Sequence, residues 1–508
     1  MTVSSRRAPA GGSPEGISFG RELSEAFAAH GDRVAIVAER EEITYAGILD
    51  RVGHIAANLR DAGVNAGAFA GLAMQDTVDV LLATLACWRL SATPVVIDFR
   101  APGAHRAALA RDFGLTVVFE SHHMPGGDAY PAAIFDTEWQ RRSAPSAELP
   151  FYESDANPAF LIFSSGTTGF PKAYIQTHAS LSRRMTTRKA LIDSAAMRFL
   201  TPMALTYSAT RHQVFGYLLR GGTIRLLPPL FSPSELAEAL LAFRASGTAL
   251  PPSVVARLIK LAGPRTAPLF PDLSMLASVG GPARADDKVG AYTLLSSGYR
   301  IGYASSLTGM IALLSGPDVL RKPETTGRAV ESARIEIIGA DGAPLPAGEA
   351  GTIKAWTPTI APAMLGPGGQ LTVDPETMGP DWGIPGDLGY LDDEGFLTIV
   401  DRQADMIVRG GVNVAPQEIE KVIARHPKVT EVAVVGFPDE TQGQEIAAFI
   451  VSDHGDVDDF IAFMRANIAP ERRPREVRLV AALPYNEHGK LLRRRLADEI
   501  VRERLERE

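Results

Sequence analysis

The sequence has a single cysteine, Cys87, among its 508 residues. No disulfide framework can therefore form within the chain, and a reducing compartment suits it. It also lacks a long hydrophobic run. The most apolar stretch, Val80 to Trp88, covers nine residues, far short of the ~20 that a membrane-spanning helix needs. That stretch reads as a buried helix carrying Cys87. Positive charge is in the minority, with 51 Lys and Arg against 59 Asp and Glu and a formal net charge of −8. This argues against a general affinity for nucleic acid or anionic membrane. A chain of this sign that handles phosphate must do so with local groups. Residues 1–16 lack an apolar core and are rich in Ser, Arg, Pro and Gly, so they are no secretory signal and read as a short disordered arm. A cytoplasmic location is expected.

What is present is length and alternation. The chain is about three typical domains long and can bury a large core without metals or disulfides. Helical spacing over Arg21 to His30 and Tyr45 to Ala62 alternates with short apolar runs at Ala68 to Met74, Ala92 to Ile97, Val117 to Glu120, Ala159 to Phe163, Thr223 to Leu227 and Leu276 to Val279. Such runs between helices indicate parallel sheets covered on both faces. After Gly316 the strands at Ala333 to Ile338, Gly351 to Trp356 and Phe396 to Val400 are shorter and broken by Gly, Pro and Asp, which suggests an antiparallel subdomain. Pro362 to Gly369 reads as a loop. The last ~105 residues form a separate unit: helices at Pro416 to Arg425 and Val457 to Asn467, with strands at Glu431 to Val435 and Ile446 to Val451. The expected fold class is α/β: a large body of parallel-type sheets over residues 17–400, including the antiparallel subdomain, then a hinge at 401–405 and a small mobile α+β C-terminal lid at 406–508.

The densest chemical signal is Phe163-Ser-Ser-Gly-Thr-Thr-Gly-Phe-Pro-Lys172. A buried strand runs into a loop of glycines and hydroxyls and leaves through a proline and a lysine. Gly166 and Gly169 let backbone N–H groups approach a phosphate closely. Ser164, Ser165, Thr167 and Thr168 add donors, and Lys172 adds charge. The spacing is not that of a Walker A loop, and alone it is equally an ordinary strand–helix connection. Gly386-Asp-Leu-Gly-Tyr390, followed by Val400-Asp-Arg402, offers a carboxylate that can accept both hydroxyls of a ribose and an arginine for ribose or phosphate. Read alone, these are turn and surface charges. Val279-Gly-Gly-Pro-Ala283 puts Gly280, Gly281 and Pro282 after a buried strand, where a flat base can lie on backbone or a plain tight turn can form. Asn486-Glu-His-Gly-Lys490 precedes Arg493, Arg494 and Arg495; by itself Lys490 is a solvated lysine in a basic tail.

In this order and spacing, from about Phe19 to Arg495, the segments resemble the motifs of the adenylate-forming superfamily. That superfamily includes acyl- and aryl-CoA ligases, luciferases and nonribosomal peptide adenylation domains; the likeness is closest to an acyl- or aryl-CoA ligase. The resemblance implies that residues 164–172 bind the phosphates of ATP, with Ala173 where the family usually has glycine. It implies that Gly280, Gly281 and Pro282 form the adenine pocket, followed by Tyr303, Ala304, Ser305 and Ser306. Asp387 holds the ribose, with Val400 and Arg402 close by. Lys490 contacts the acyl carboxylate and the α-phosphate, where negative charge develops. Gly410 and Gly411 face a tunnel for the pantetheine thiol, Asp401 and Ala404 belong to the hinge, and Met203 to His212 with Gly302 to Thr308 line the acid pocket. Within it, Tyr207, Arg211, His212, Gly302 and Thr308 are the candidate contacts.

Two positions depart from the family pattern. The motif Y-G-x-[ST]-E reads Tyr303-Ala-Ser-Ser-Leu-Thr-Gly309, so the glutamate that holds magnesium is replaced by Leu307, which binds no cation. Magnesium then rests on the ATP phosphates, water and the hydroxyl of Thr168 or Thr308. At the hinge, Ala404 replaces the usual Asp or Lys; a small residue still absorbs a backbone rotation. The implied activity is ATP- and Mg2+-dependent formation of an acyl-AMP, then transfer to a thiol, with coenzyme A favoured. The substrate is a small carboxylic acid, with aromatic acids favoured over long fatty acids. The alternatives are an adenylating enzyme that serves a carrier protein or a nitrogen nucleophile, and a degenerate non-catalytic nucleotide-binding member.

Overall fold

The computed structural model describes residues 18–505 except 40, 142–157, 165–171, 188–196, 229–230, 403–404, 410–411, 440–442, 454–455 and 486–490. The chain separates into two compact units. One comprises Met1–Pro323, Val330–Arg334 and Trp356–Gly383; the other comprises Glu324–Ala329, Ile335–Ala355 and Ile384–Glu508.

The first unit is built on three sheets. In the largest, strands run in the order Gly309–Ser315, Tyr299–Ser305, Met275–Ser278, Gly247–Leu250, Arg198–Thr201, Thr223–Leu226, Val34–Val37 and Glu42–Thr44. Its centre is parallel and both hairpin edges are antiparallel. A second, all-parallel sheet orders Thr93–Val96, Phe69–Ala73, Val117–Glu120 and Ala132–Ile134. Between them lies the helix Thr77–Arg89. Asp76 starts it by accepting from the N–H groups of Val78 and Asp79, and every residue from Asp79 to Trp88 is buried. A helix apolar on all sides belongs in a core, as Val80 to Trp88 predicts. Cys87 is buried within it. Trp88 anchors the packing. Its indole N–H donates to the Ala159 carbonyl at 2.9 Å, and its ring lies against Phe19, Phe160 and Phe215.

The third sheet corrects two expectations. The strand Pro158–Ser164 pairs antiparallel with Lys172–Thr177, placing Phe160 opposite Gln176 and Ser164 opposite Lys172. The chemically dense segment therefore leads into a second strand, not a helix. Pro362 to Gly369, expected as a loop, contains the strand Met364–Leu365, which pairs with Lys172–Thr177. Two residues between Pro and Gly are too short a run for periodicity to reveal.

The second unit carries the antiparallel order Arg334–Ile338, Gly351–Trp356, Asp387–Leu391 and Leu397–Arg402. Towards the C-terminus, Val412–Val414, Ile407–Arg409, Gly443–Val451 and Glu431–Asp439 form a further sheet, with Glu476–Leu479 added parallel to Gly443–Val451. Helices Pro416–Ile423 and Val457–Asn467 cover one face through Ile419, Ile423, Phe460 and Met464. Arg493–Leu505 covers the other through Leu496 and Ile500. Alternation along Gly443–Val451 feeds both clusters, since successive residues point to opposite faces. No helix among the described residues is long and apolar enough to cross a membrane.

Candidate active site

Three loops of the first unit meet solvent at the carboxyl ends of parallel strands, where ligands gather in open α/β sheets. Met275–Ser278 is wholly buried, and the chain emerges through Gly280, Gly281 and Pro282, all exposed. Gly280 has φ +95, a left-handed conformation that favours glycine. At Gly281 a side chain would point into open space. The result is bare backbone on which a planar ring can rest.

Next in the sheet, Tyr299–Ser305 turns back into Gly309–Ser315. Tyr303 is buried, Ala304 exposed, and Ser305 and Ser306 half-buried. Gly302 is tight against its neighbour, where a Cβ would lie 3.1 Å from the Ala312 carbonyl. Ser305 organises the turn. Its hydroxyl accepts from Thr308 N–H at 3.0 Å and lies 2.9 Å from the Thr308 hydroxyl. The Thr308 hydroxyl also donates to the Gly309 carbonyl at 3.0 Å, and the side chain is fully buried. Leu307 turns inward onto Ile360, Ala361 and Met378, with Gly383 beneath it: a Cβ there would meet Leu307 Cδ2 at 2.8 Å. Residues 305–308 thus offer a satisfied hydroxyl and an apolar plug, and do not fit a magnesium ligand set. No cluster of metal-binding side chains occurs among the described residues.

The helix Ser208–Leu219 follows the strand Arg198–Thr201 and carries two of the expected acid-pocket residues, Arg211 and His212. Tyr207 stands at its start, half-buried. Arg211 and His212 are buried. The Arg211 guanidinium donates through Nη1 to the carbonyls of Leu205 at 2.6 Å and Thr206 at 3.1 Å. Its Cζ lies 4.5 Å from the centre of the Phe160 ring, a cation–π contact. Burial pulls its pKa down to about 9. His212 Nε2 lies 3.1 Å from Gln176 Nε2. Behind them, burial depresses His178 to about 4, so it is neutral at pH 7. Leu205 and Thr206, which hold Arg211, also wall a cavity of about 30 Å³ formed with Gln75, Ile97 and Arg100. Its wall segments follow the strands Phe69–Ala73, Thr93–Val96 and Arg198–Thr201.

In the second unit, strand register places Asp387 directly opposite Arg402. Gly386, at φ +87, turns the chain into the strand, and Asp387 is buried. Val400 is half-buried two residues before Arg402. Asp401 is completely buried, and its carboxylate accepts from the N–H of Gln417 at 3.1 Å. It thus serves the open N-terminus of the helix Pro416–Ile423. The ends of residues 486–490 are also fixed. Tyr485 bridges to Leu491, and Leu492 N–H donates to Pro484 O at 2.8 Å. Arg493 forks onto Glu420 and donates to the Val434 carbonyl at 2.7 Å.

The remaining candidates, Ser165, Gly166, Thr167, Thr168, Gly169, Ala404, Gly410, Gly411 and Lys490, lie outside the described residues, as do the side chains of Ser164, Lys172 and Arg402. Sequence reasoning missed Phe160, Gln176 and Arg184. Buried Arg184 donates to the Thr359 carbonyl at 2.9 Å, while the Thr359 hydroxyl donates to the Thr308 carbonyl at 2.7 Å. Strand pairing sets Phe160 and Gln176 side by side under helix Ser208–Leu219, and the helix His178–Thr187 carries Arg184 to Thr359 beside the 305–308 turn.

The fold and these loops define an adenylate-forming architecture. The profile of the AMP-binding enzyme family matches residues 23–364, and that of the AMP-binding enzyme C-terminal domain matches residues 418–490. The chain belongs to this family. It is 29% identical over 469 residues to the long-chain-fatty-acid–CoA ligase FadD13 of Mycobacterium tuberculosis, covering 89% of this chain and 92% of that one. It is 27% identical over 478 residues to the 2-succinylbenzoate–CoA ligase of Bacillus cereus, covering 92% and 95%. The o-succinylbenzoate CoA synthetase of Bacillus subtilis, solved with its acyl-adenylate, superposes with a TM-score of 0.84 at 23% identity over 94% of this chain and 97% of that one.

Proposed function

We propose that this protein is an AMP-forming acid–thiol ligase that joins a small carboxylic acid to coenzyme A through an acyl-AMP. The observation that carries the reading is the cross-strand pair Asp387 and Arg402. Asp387 is an acceptor for two ribose hydroxyls, and Arg402 holds the paired position on the neighbouring strand, in a chain that belongs to the AMP-binding enzyme family. The bare backbone at Gly280 and Gly281 supplies a surface for adenine.

In the first half-reaction a carboxylate oxygen of the acid attacks the α-phosphorus of ATP. A phosphorus–oxygen bond forms, the α–β anhydride bond breaks, and pyrophosphate leaves with its electron pair. Lys490 and residues 164–172 stabilise the charge that develops. Magnesium held by the triphosphate, with the Thr168 hydroxyl as its protein ligand, would neutralise part of that charge. In the second half-reaction the thiol of coenzyme A loses its proton and attacks the acyl carbon, and AMP leaves. Residues 401–405 serve as the hinge, and Gly410 and Gly411 admit the thiol arm. Relatives named as CoA ligases of 2-succinylbenzoate and of long-chain fatty acids support this reading.

Pyrophosphate release across aromatic and aliphatic acids, with and without coenzyme A, tests the reading. The expected result is acid-dependent pyrophosphate release and a CoA thioester. Release without any thioester, but with product on an amine or a carrier-protein thiol, would reassign the acceptor. No release with any acid would end the reading.

A further inference from the structure

Arg211 is a buried charge that the reaction above does not use. Its guanidinium is met by two carbonyl oxygens and the face of Phe160. Its Nε has no hydrogen-bond partner although it is buried. No carboxylate among the described residues pairs with it, and nothing but burial moves its pKa. Holding a guanidinium in an apolar interior without a counter-charge is costly. If two carbonyls were all it served, a neutral donor would suffice; the charge implies recognition of an anion. The surroundings support one. Phe160 and Gln176 are direct cross-strand partners, so Arg211 over the one and His212 on the other stand side by side on a single face. The Gln176 Oε1 is likewise buried without a partner. His178, neutral, adds no competing charge.

Position along the strand sets the length. Phe160 lies four residues before Ser164, where the proposed phosphate-binding segment begins, a distance of about 13 Å on an extended strand. A hydrogen-bond length at each end leaves room for one ring or a short chain.

We propose that Arg211, flanked by the His212–Gln176 pair, reads a second carboxylate on the substrate. The preferred acids are then dicarboxylic acids on a short or aromatic skeleton, not monocarboxylic fatty acids. This rests on the acid–thiol ligase reading and adds the substrate class.

The test uses the full-length protein and matched acids, adipate against hexanoate and homophthalate against phenylacetate, with pyrophosphate release as the readout. The wild type should favour the diacid by on the order of 10²-fold in kcat/KM, since a site built for a charged group rejects analogues that lack it. Arg211→Met should bring that ratio to within a few-fold of one, and Arg211→Lys should fall between. A wild type that prefers the monoacid overturns the proposal, as does an Arg211→Met variant that loses both acids equally. If Arg211→Met does not fold, the Arg211→Lys ratio decides. Thermal stabilisation by the diacids, with and without ATP, separates this proposal from the ligase reading. If no acid releases pyrophosphate, stabilisation of the wild type that Arg211→Met loses still upholds Arg211, and its absence overturns it.

Discussion

Leu307 occupies the position at which the family pattern carries a glutamate, and its side chain is committed elsewhere. It packs on Ile360, Ala361 and Met378, and Gly383 leaves room for it at the cost of having no side chain of its own. Restoring a carboxylate here would bury a charge among apolar groups. Leu307→Glu is expected to destabilise the protein by on the order of 3 kcal/mol, visible as a lower urea midpoint, without raising adenylation. A stable, more active variant would show that the turn can rotate this side chain outward. Lys490 makes the opposite kind of prediction. If it stabilises charge during attack on the α-phosphorus, Lys490→Ala loses on the order of 10²–10³-fold in acyl-AMP formation. Thioester formation from supplied acyl-AMP should suffer far less. Equal losses in the two half-reactions would remove that role. Leu307 also shows what a motif comparison leaves unread. The substitution is plain in the sequence; the apolar cluster that accommodates it comes from residues some fifty to seventy positions away.

Among the elements, the helix Thr77–Arg89 carries a titratable device in its first turn. Asp76 caps it, and Asp79 sits one turn in, accepting from Gln140 at 2.6 Å. Burial first, and the neighbouring Asp76 second, push the Asp79 pKa up to about 7. A carboxylate raised in the folded state keeps a proton that the unfolded chain has already released. Stability is therefore present at low pH and declines as pH rises from about 4 to about 7. Asp79→Asn should flatten this decline, measured as urea midpoints at pH 5 and pH 8. An unchanged difference between the two midpoints would contradict the assignment. That this stretch is a buried helix was legible from nine apolar residues in a row, because burial on all sides leaves a composition signal. The third sheet was not. Ala159 to Phe163 reads as one more buried parallel strand, since an apolar run is silent about its partner. Only pairing with Lys172–Thr177 shows it to be antiparallel. The same limit hid Gln176, whose relevance comes from lying opposite Phe160 and against His212. Tyr207, Arg211 and His212 became candidates through the family resemblance, but that Arg211 is buried without a counter-charge among the described residues is a fact of packing.

At the scale of the whole chain, the question is which stretches own a core. Residues from Ile407 to Ile500 supply two clusters that draw on no other part of the chain among the described residues, one containing Ile407, Ile419, Ile446, Phe460 and Met464, the other Val435, Phe449, Leu496 and Ile500. A sheet lies between them, and helices cover both faces. Ion pairs tie these elements together: Arg493 to Glu420 between two helices, Lys428 to Asp459 at 2.8 Å between a loop and a helix, and Arg478 to Glu503 at 3.0 Å between strand and helix. A fragment of residues 403–508 is about the size at which one hydrophobic core sustains a domain. It should fold on its own with a single cooperative urea transition and a stability of about 5 kcal/mol or more. Glu420→Gln within it should cost about 1.5–3 kcal/mol, because half-buried Arg493 would lose its charged fork and keep only the Val434 carbonyl and the more distant Asp405. The fragment forgoes the cap that Asp401 gives to Gln417, so restoring residues 397–402 should add roughly 0.5–2 kcal/mol. A fragment that melts without a cooperative transition would show that the strands Asp387–Leu391 and Leu397–Arg402 are part of the same folding unit. The boundary at 401–405 would then cut through one core instead of joining two.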